Sequence, residues 1–233
     1  MIKKINIFGW RIWVREQNEL HYISSLQDYL DGKASIVRVF KQNEETKVCL
    51  VETTNGLYVI KDFSPNQKHI ERFLKSWIKK DYYVRLFQQT SELFNQGQDA
   101  VNDFYLLALC CRWHYAQRYV MIIEYIDGVQ LPPINAWNDG LRQEISQMIE
   151  NLHNRQVVSG DIHRGNFIQQ IKDGKIRIID LSGKRSSALR QAEDRVKMEQ
   201  NLGIVNEKKD WAYRILKWKH KWRQGLRAIR GRS

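Results

Sequence analysis

The most constraining feature of the sequence is the segment VVSGDIHRGNFIQQIKDGKIRIIDLSGKR, at positions 157–185. It places three side chains with oxygen donors, Asp161, Asn166 and Asp180, around two short apolar runs. The runs NFIQQI and KIRIID flank an Asp-Gly pair at 173–174, and such a pair between apolar runs predicts a β-hairpin. The segment is therefore predicted to be a loop followed by a tight hairpin, with Asp180 ending the second strand.

This spacing matches what phosphoryl transfer from a nucleotide requires. The reaction needs a cation along the phosphates, two oxygen-donor side chains for Mg²⁺ and a carboxylate that orients the attacking hydroxyl. Protein-kinase-like folds supply these as a strand lysine, an Asp-x-x-x-x-Asn loop and an Asp at a later strand end. The chain offers them in order: Lys61 ends LYVIK, Asp161 precedes Asn166 by five positions, and Asp180 ends IRIID. Each feature alone is common, but together they predict a nucleotide-dependent kinase fold.

The rest of the sequence predicts a β-rich first half and a mainly helical second half. Strand-like runs are SIVRVF, KVCLVETTNGLYVIKDF with an Asn-Gly turn, DFYLLALCCRW and RYVMIIEYIDG. Helices are predicted within 67–96 and at 141–156, 190–200 and 210–229. The predicted fold is α+β and two-lobed, protein-kinase-like, with a small β-rich nucleotide-binding lobe at 1–126 and a mostly helical catalytic lobe at 127–233.

A basic tail at about 208–233 carries most of the net charge of +12, since it has ten Lys or Arg and one acid, Asp210. Its apolar residues recur at intervals of three and four, which predicts one stripe along an amphipathic helix. Tryptophan in such a stripe suits a membrane interface, and flanking cations suit anionic lipids. A terminal helix packed on the second lobe is an equally good interpretation. No nucleic-acid partner is expected, because no sequence motif for nucleic-acid recognition accompanies the positive charge. The stripe comprises Trp211, Ile215, Trp218, Trp222, Leu226 and Ile229.

The three cysteines and the apolar runs indicate a cytoplasmic protein. Cys49, Cys110 and Cys111 have neither metal-binding spacing nor a disulfide framework, which is typical of reduced thiols. The first residues lack the features of a signal peptide, and the longest apolar runs are too short to cross a bilayer.

Several motifs carry a resemblance to known kinases. The loop SGDIHRGNFI is similar to the HGD-x-H-x-G-N loop of small-molecule kinases of the aminoglycoside and choline type. With NDFYLLA, IEYIDG, IRIIDLSGK and LGIVNEKKD, the chain resembles the lipopolysaccharide core heptose kinases, most closely the heptose(II) kinase (RfaY/WaaY) family, from about Tyr58 to the tail. The resemblance implies ATP-dependent phosphorylation of an inner-core heptose. The acceptor would be a lipid-linked glycan at the cytoplasmic face of the inner membrane of a Gram-negative bacterium, where peripheral contact through the tail is expected.

The resemblance also implies roles for the candidate residues, with ATP and Mg²⁺ as cofactors. Asp161 would be the catalytic carboxylate, and Lys61 would bind the phosphates. The Mg²⁺ ligands would be Asn166 and Asp180. Backbone groups around Glu124 to Ile126 would hold the adenine.

The sequence departs from the kinase pattern in four places. Ser159-Gly160 replaces the His-Arg or His-Gly that precedes the Asp in other kinases. The nucleotide loop FKQNEETKV has no glycine, so close backbone approach to the phosphates is not predicted. The acid partner of Lys61 is open between Glu71 and Glu92, with Glu92 slightly preferred. No Ala-Pro-Glu segment follows Asp180, which argues against a protein substrate with a long activation loop.

Neighbouring polar residues allow two interpretations each. His163 either packs or orders the loop by hydrogen bonding, and His153 is interpreted as a packing residue. Arg164 either is solvated or, like Lys184 and Arg185, contacts an anionic group of the acceptor.

Three rival functions remain from the sequence. A soluble aminoglycoside or amino-alcohol kinase would need an acidic acceptor site, and the basic surroundings weigh against it. A catalytically silent binding module is favoured only by the glycine-free loop. A basic membrane- or nucleic-acid-binding protein would depend on the tail alone. Neither the heptose nor the hydroxyl that is phosphorylated can be read from these residues.

Overall fold

The computed structural model describes residues 1–7, 9–65, 82–97, 99–112 and 115–229. The chain divides into two compact units, Met1–Ile126 and Asp127–Ser233. The first unit consists mostly of strands, and the longest helices of the described chain lie in the second. The predicted α+β class is confirmed.

One antiparallel sheet of seven strands forms the first unit. The strands are β1 (Ile2–Ile7), β2 (Trp10–Arg15), β3 (Ser35–Gln42), β4 (Thr46–Thr53), β5 (Gly56–Phe63), β6 (Phe104–Arg112) and β7 (Tyr115–Glu124). Their order in the sheet is β1-β2-β6-β7-β5-β4-β3. The unit also contains the helices α1 (Glu19–Leu30) and α2 (Tyr82–Asn95). The predicted helical region at 67–96 is confirmed over α2, and residues 66–81 lie outside the described chain.

Strand β5 is internal and presents its side chains to two separate cores. On one face of the sheet, Ile60 of β5 is fully buried with Leu26 of α1. On the other face, Met121 of the neighbouring strand β7 is buried with Phe87 of α2. Lys61 pairs with Met121 across the sheet. Because directly paired residues share a face and successive residues alternate, Lys61 lies on the face that carries the α2 cluster.

The strands β1 and β2 and the helix α1 are not predicted by local patterns. Arg11 interrupts the apolar run that becomes β2, yet the fully buried Val14 pairs with Leu106 of β6. The strand therefore depends on a partner that is distant along the chain.

The second unit combines a small sheet with three helices. Its elements are β8 (Gly128–Gln130), α3 (Asp139–Asn154), β9 (Phe167–Gln170), β10 (Ile176–Ile178), α4 (Ala188–Leu202) and α5 (Trp211–Ile229). The antiparallel order is β10-β9-β8, and the pairing of Ile176 with Gln169 confirms the predicted hairpin. Helix α3 begins after Asn138, whose side chain accepts a hydrogen bond from the Leu141 N–H group at 2.8 Å. Among the described residues, no helix is both long and apolar enough to cross a membrane.

Candidate active site

The loop between α3 and β9 is shaped by Asn166. Its side-chain Nδ2 donates a hydrogen bond to the backbone carbonyl of Asp161 at 2.7 Å, and its backbone N–H donates to the carbonyl of His163 at 3.0 Å. Because the amide nitrogen is used within the loop, the remaining Oδ1 atom is the one suited to a cation.

The backbone brings Asp180 to the same loop. The N–H group of Ile179 donates to the carbonyl of Asn166 at 2.9 Å, immediately before the exposed Asp180. Asp180 has a φ of 59°, in the left-handed region that few residues other than glycine adopt. Aspartate is among the residues that tolerate this conformation, and such backbone strain is concentrated at functional sites.

Asn166 and Asp180 fit a magnesium site. Mg²⁺ is usually held by one or two carboxylates together with phosphate and water oxygens, so these two donors are of the right chemistry. In the described part of the chain, no group of three or more His, Cys, Asp or Glu side chains is placed to hold a metal.

Ser182 ties the segment after Asp180 to the segment before Asp161. Its N–H group donates to the carbonyl of Ser159 at 2.8 Å, and its hydroxyl donates to the carbonyl of Val158 at 3.2 Å. Gly160 makes this approach possible, because a Cβ atom there would lie 2.2 Å from Ser182 Oγ.

We expect Gly160→Ala to destabilise the protein by about 2–4 kcal/mol, since the new methyl group meets Ser182 and the residue has a φ of +77°. Urea unfolding measures this effect. Gly174→Ala is the matched control, because Gly174 has a similar φ of +69° but no other atom closer than 4.0 Å to the added Cβ. Equal losses in the two variants would contradict a role for the close approach to Ser182.

Asp194 of α4 is a site residue that the sequence does not reveal. It is fully buried and accepts hydrogen bonds from the N–H groups of Ser159 at 2.9 Å and Gly160 at 2.8 Å. The Nε2 atom of the buried His153 lies 3.1 Å from its Oδ2 atom. His153 therefore supports Asp194 in the interior.

Two further residues of α4 hold the same loop. Lys197 donates from Nζ to the carbonyl of Gly160 at 2.6 Å, and Asn201 donates from Nδ2 to the carbonyl of Ile162 at 2.7 Å. Positions separated by three and four residues share one helix face, so one face of α4 fixes the backbone on both sides of Asp161.

The Asp161 side chain projects from this fixed backbone and is 66% exposed. Its Oδ2 atom lies 3.6 Å from the Nε2 atom of His163, and the Nδ1 atom of His163 accepts a hydrogen bond from the Gly165 N–H group at 3.1 Å. An exposed carboxylate on a rigid loop is accessible to a substrate hydroxyl.

The first unit carries the candidate nucleotide residues. Lys61 is half-buried on the α2 face of the sheet. Glu92, one of its two candidate partners, is exposed on α2, and Glu71 lies outside the described residues.

The turn between β3 and β4, where the sequence predicts the nucleotide loop, closes without glycine. The side chain of Asn43 accepts hydrogen bonds from the N–H groups of Glu45 at 3.1 Å and Thr46 at 2.7 Å. These groups are engaged within the turn, unlike those of a glycine-rich loop that wraps phosphates.

The end of β7 is held by two acidic residues, the buried Asp103 and the half-buried Glu124. Glu124 accepts a hydrogen bond through Oε2 from the Asp103 N–H group at 2.8 Å, and its own N–H donates to the Asp103 carbonyl at 2.9 Å. Asp103 forms a buried ion pair with Arg15. Burial raises the pKa of Asp103 to about 6, although the Arg15 guanidinium lowers it. Ile126 is buried at the end of the first unit.

The candidate residues thus fall into two groups. The second unit brings Asp161, Asn166 and Asp180 together, whereas the first unit contains Lys61 and the segment from Glu124 to Ile126. Arg164 donates to the Leu131 carbonyl at 2.9 Å, so part of its guanidinium has a structural use.

Comparison with known proteins gives a consistent family. A family model described as "Lipopolysaccharide core biosynthesis protein (WaaY)" matches residues 1–232. A lipopolysaccharide core heptose(II) kinase WaaY of Escherichia coli (strain K12) is 45% identical over 232 residues, which cover 100% of this chain and 99% of that protein. A second protein of that name from Escherichia coli is 40% identical over 233 residues, with 100% of both chains covered.

Solved structures of a kinase domain show a distant likeness. One structure of the PknI kinase domain of Mycobacterium tuberculosis has a TM-score of 0.44 and 15% identity, covering 64% of this chain and 57% of that domain. Another has a TM-score of 0.41 and 14% identity, with coverage of 66% and 60%.

Proposed function

The chain belongs to the WaaY family of lipopolysaccharide core biosynthesis proteins, and we propose that it transfers the γ-phosphate of ATP to a heptose of the lipopolysaccharide inner core. The acceptor is proposed to be heptose II, after the kinase name of the relatives. The observation that carries the chemistry is that Asn166 is hydrogen-bonded both to Asp161 and to Ile179, the residue before Asp180, so that one loop brings the three side chains together.

Each residue has a defined task in the proposed reaction. The acceptor hydroxyl oxygen bonds to the γ-phosphorus while the bond from that phosphorus to the bridging oxygen of ADP breaks. Asp161 orients the hydroxyl and receives its proton. Asn166 and Asp180 would hold Mg²⁺, which when bound neutralises charge on the phosphates. Lys61 would bind the phosphates, and backbone groups from Glu124 to Ile126 would hold the adenine.

Exposed cations near the site favour an anionic acceptor. Lys184 and Arg185 follow the Asp180 segment and are exposed, and the Arg190 guanidinium is hydrogen-bonded to the Arg185 carbonyl. A cationic aminoglycoside would be repelled by this surface, whereas phosphate or acidic-sugar groups of a core glycan would be attracted.

The test of this function is phosphate transfer to purified acceptors. The protein, ATP and Mg²⁺ are incubated with dephosphorylated core lipopolysaccharide, and mass spectrometry locates the new phosphate. Phosphate on a heptose is expected. Phosphate on an aminoglycoside or choline in parallel reactions, but not on heptose, would contradict the proposed acceptor. Nucleotide binding without any transfer would favour a silent module.

We also propose that the protein works at the cytoplasmic face of the inner membrane, held peripherally by α5. One side of this helix packs on α4 through Ala212 and Tyr213, and Lys217 donates to Glu199 at 2.6 Å. This contact holds the pKa of Glu199 below its usual value. The docked side fixes the helix on the second unit.

The other side of α5 is an exposed apolar stripe. The four members whose side chains the structure describes are 48–65% exposed, and the rings of Trp218 and Trp222 are 5.7 Å apart. Lys219 and Lys221 are exposed beside it. Tryptophan with lysine suits the headgroup layer of an anionic bilayer, and this supports membrane contact by the same helix that packs on α4. Of the predicted stripe, the structure describes the side chains of Trp211, Ile215, Trp218 and Trp222. The side chains of Leu226 and Ile229 lie outside the described part of the chain.

We expect Trp218→Ser combined with Trp222→Ser to weaken vesicle binding by about tenfold or more, because two interfacial side chains are lost. Co-sedimentation with vesicles of phosphatidylethanolamine and phosphatidylglycerol measures this. Leu20→Ser is the control, since Leu20 is 78% exposed on α1 in the other unit. Binding that is unchanged in the double variant would refute the membrane role of the stripe.

A further inference from the structure

We propose that His163 is a positioning residue that orients the Asp161 carboxylate through its Nε2–H group. The proposal rests on the assignment of Asp161 as the group that receives the acceptor proton. It assigns to the histidine a role in the reaction, in addition to its contact with the loop backbone.

The ring of His163 is fixed from one side. Its Nδ1 atom accepts a hydrogen bond from the Gly165 N–H group at 3.1 Å, at the start of the short 3₁₀ turn Arg164–Asn166. A Cβ atom on Gly165 would lie 3.1 Å from both Cε1 and Nδ1, so the glycine lets the ring pack closely on the backbone. In a neutral imidazole one nitrogen accepts and the other carries the hydrogen, which places the hydrogen on Nε2.

The other side of the ring faces the catalytic carboxylate. Nε2 lies 3.6 Å from Asp161 Oδ2, and across the described residues no other side chain forms an ion pair or hydrogen bond with this carboxylate. The distance exceeds that of a hydrogen bond in the free protein, and such catalytic contacts often shorten when substrate binds.

The surrounding structure leaves the carboxylate as the part of Asp161 that still needs orientation. Asp194, Lys197 and Asn201 already fix the neighbouring backbone through Gly160 and its neighbours. The exposed side chain can rotate about its own torsions. A donor at Nε2 restricts that rotation by binding one carboxylate oxygen. The other oxygen remains available to the substrate hydroxyl.

Two substitutions distinguish the roles of the two ring nitrogens of His163. His163→Asn retains an acceptor near the position of Nδ1 and removes the group at Nε2. His163→Gln retains an N–H donor near the position of Nε2 and removes the acceptor. We expect His163→Asn to lower kcat for heptose phosphorylation about tenfold with the KM for ATP and the Tm unchanged, and His163→Gln to retain more of the rate. The reverse order of kcat would show that His163 serves only the Gly165 contact and would overturn the proposal.

A second measurement needs no acceptor, so it distinguishes failure of this proposal from failure of the proposed function. Nitrogen NMR at pH 8 reports the tautomer of His163 in the intact protein. We expect the Nε2–H form, with a shift of that resonance in Asp161→Asn. A Nδ1–H form, or a resonance that Asp161→Asn leaves unchanged, would refute the positioning role. If the expected NMR results are obtained but the wild-type protein transfers no phosphate to heptose, the proposed function is wrong and the contact between His163 and Asp161 stands.

Discussion

Asp161→Asn is expected to lower the rate of phosphate transfer by about 10³-fold, because the amide keeps the shape of the side chain but cannot receive the hydroxyl proton. The side chain is 66% exposed and contributes little to packing, so the Tm should not change. Nucleotide binding should also persist, since Asn166 and Asp180 are intact. Initial rates of ADP formation with the heptose acceptor measure the effect.

Asp173→Asn is the matched control for this substitution. Asp173 is an exposed aspartate of the hairpin turn, and an Asn-Gly turn is as favourable there as Asp-Gly. Its rate should equal that of the wild-type protein. If Asp161→Asn retained a tenth or more of the activity, another group would have to receive the proton, and the role given to Asp161 would be wrong.

Asp194→Ala is expected to lower the free energy of unfolding by about 3–5 kcal/mol, because the N–H groups of the buried Ser159 and the half-buried Gly160, and the buried His153, lose their shared acceptor. The variant should also lose most of its transfer activity, because the loop that carries Asp161 is no longer held in place, although Asp194 does not touch the substrate. Urea unfolding and the transfer assay measure the two effects.

Glu193→Ala is the control for Asp194. Glu193 precedes it on the same helix, its side chain is 48% exposed, and it lies 3.9 Å from Lys197. A surface pair of this kind contributes less than about 1 kcal/mol, so stability should be nearly unchanged. A loss as large as that of Asp194→Ala would show that the helix, rather than the buried carboxylate, is sensitive to substitution.

The geometry of the candidate catalytic segment could be predicted because it is local. A loop, a five-residue spacing and a two-stranded hairpin bring Asp161, Asn166 and Asp180 together within twenty positions of the chain. Turn chemistry and strand alternation act over a few residues, so they can be read without the rest of the fold. Which of these groups touches ATP or metal stays a prediction.

The support for that segment could not be predicted. Helix α4 has the sequence ALRQAEDRVKMEQNL, in which charged residues occur on several faces. Asp194 and Arg195 are buried, whereas their neighbour Glu193 is exposed, and nothing in the local pattern separates them. Burial of a charge depends on which partner groups arrive from elsewhere: the N–H groups of Ser159 and Gly160 for Asp194, and the Asp210 carboxylate for Arg195.

The sequence by itself determined the α+β class, the hairpin, the amphipathic tail and the spacing of the catalytic candidates, because each follows from periodicity or from a short turn. Only the tertiary structure decided the seven-strand order, the face on which Lys61 lies, the buried contacts of Asp194 and the exposure of the tryptophan stripe. These depend on contacts between residues that are distant along the chain, and local preferences do not specify which distant groups will meet.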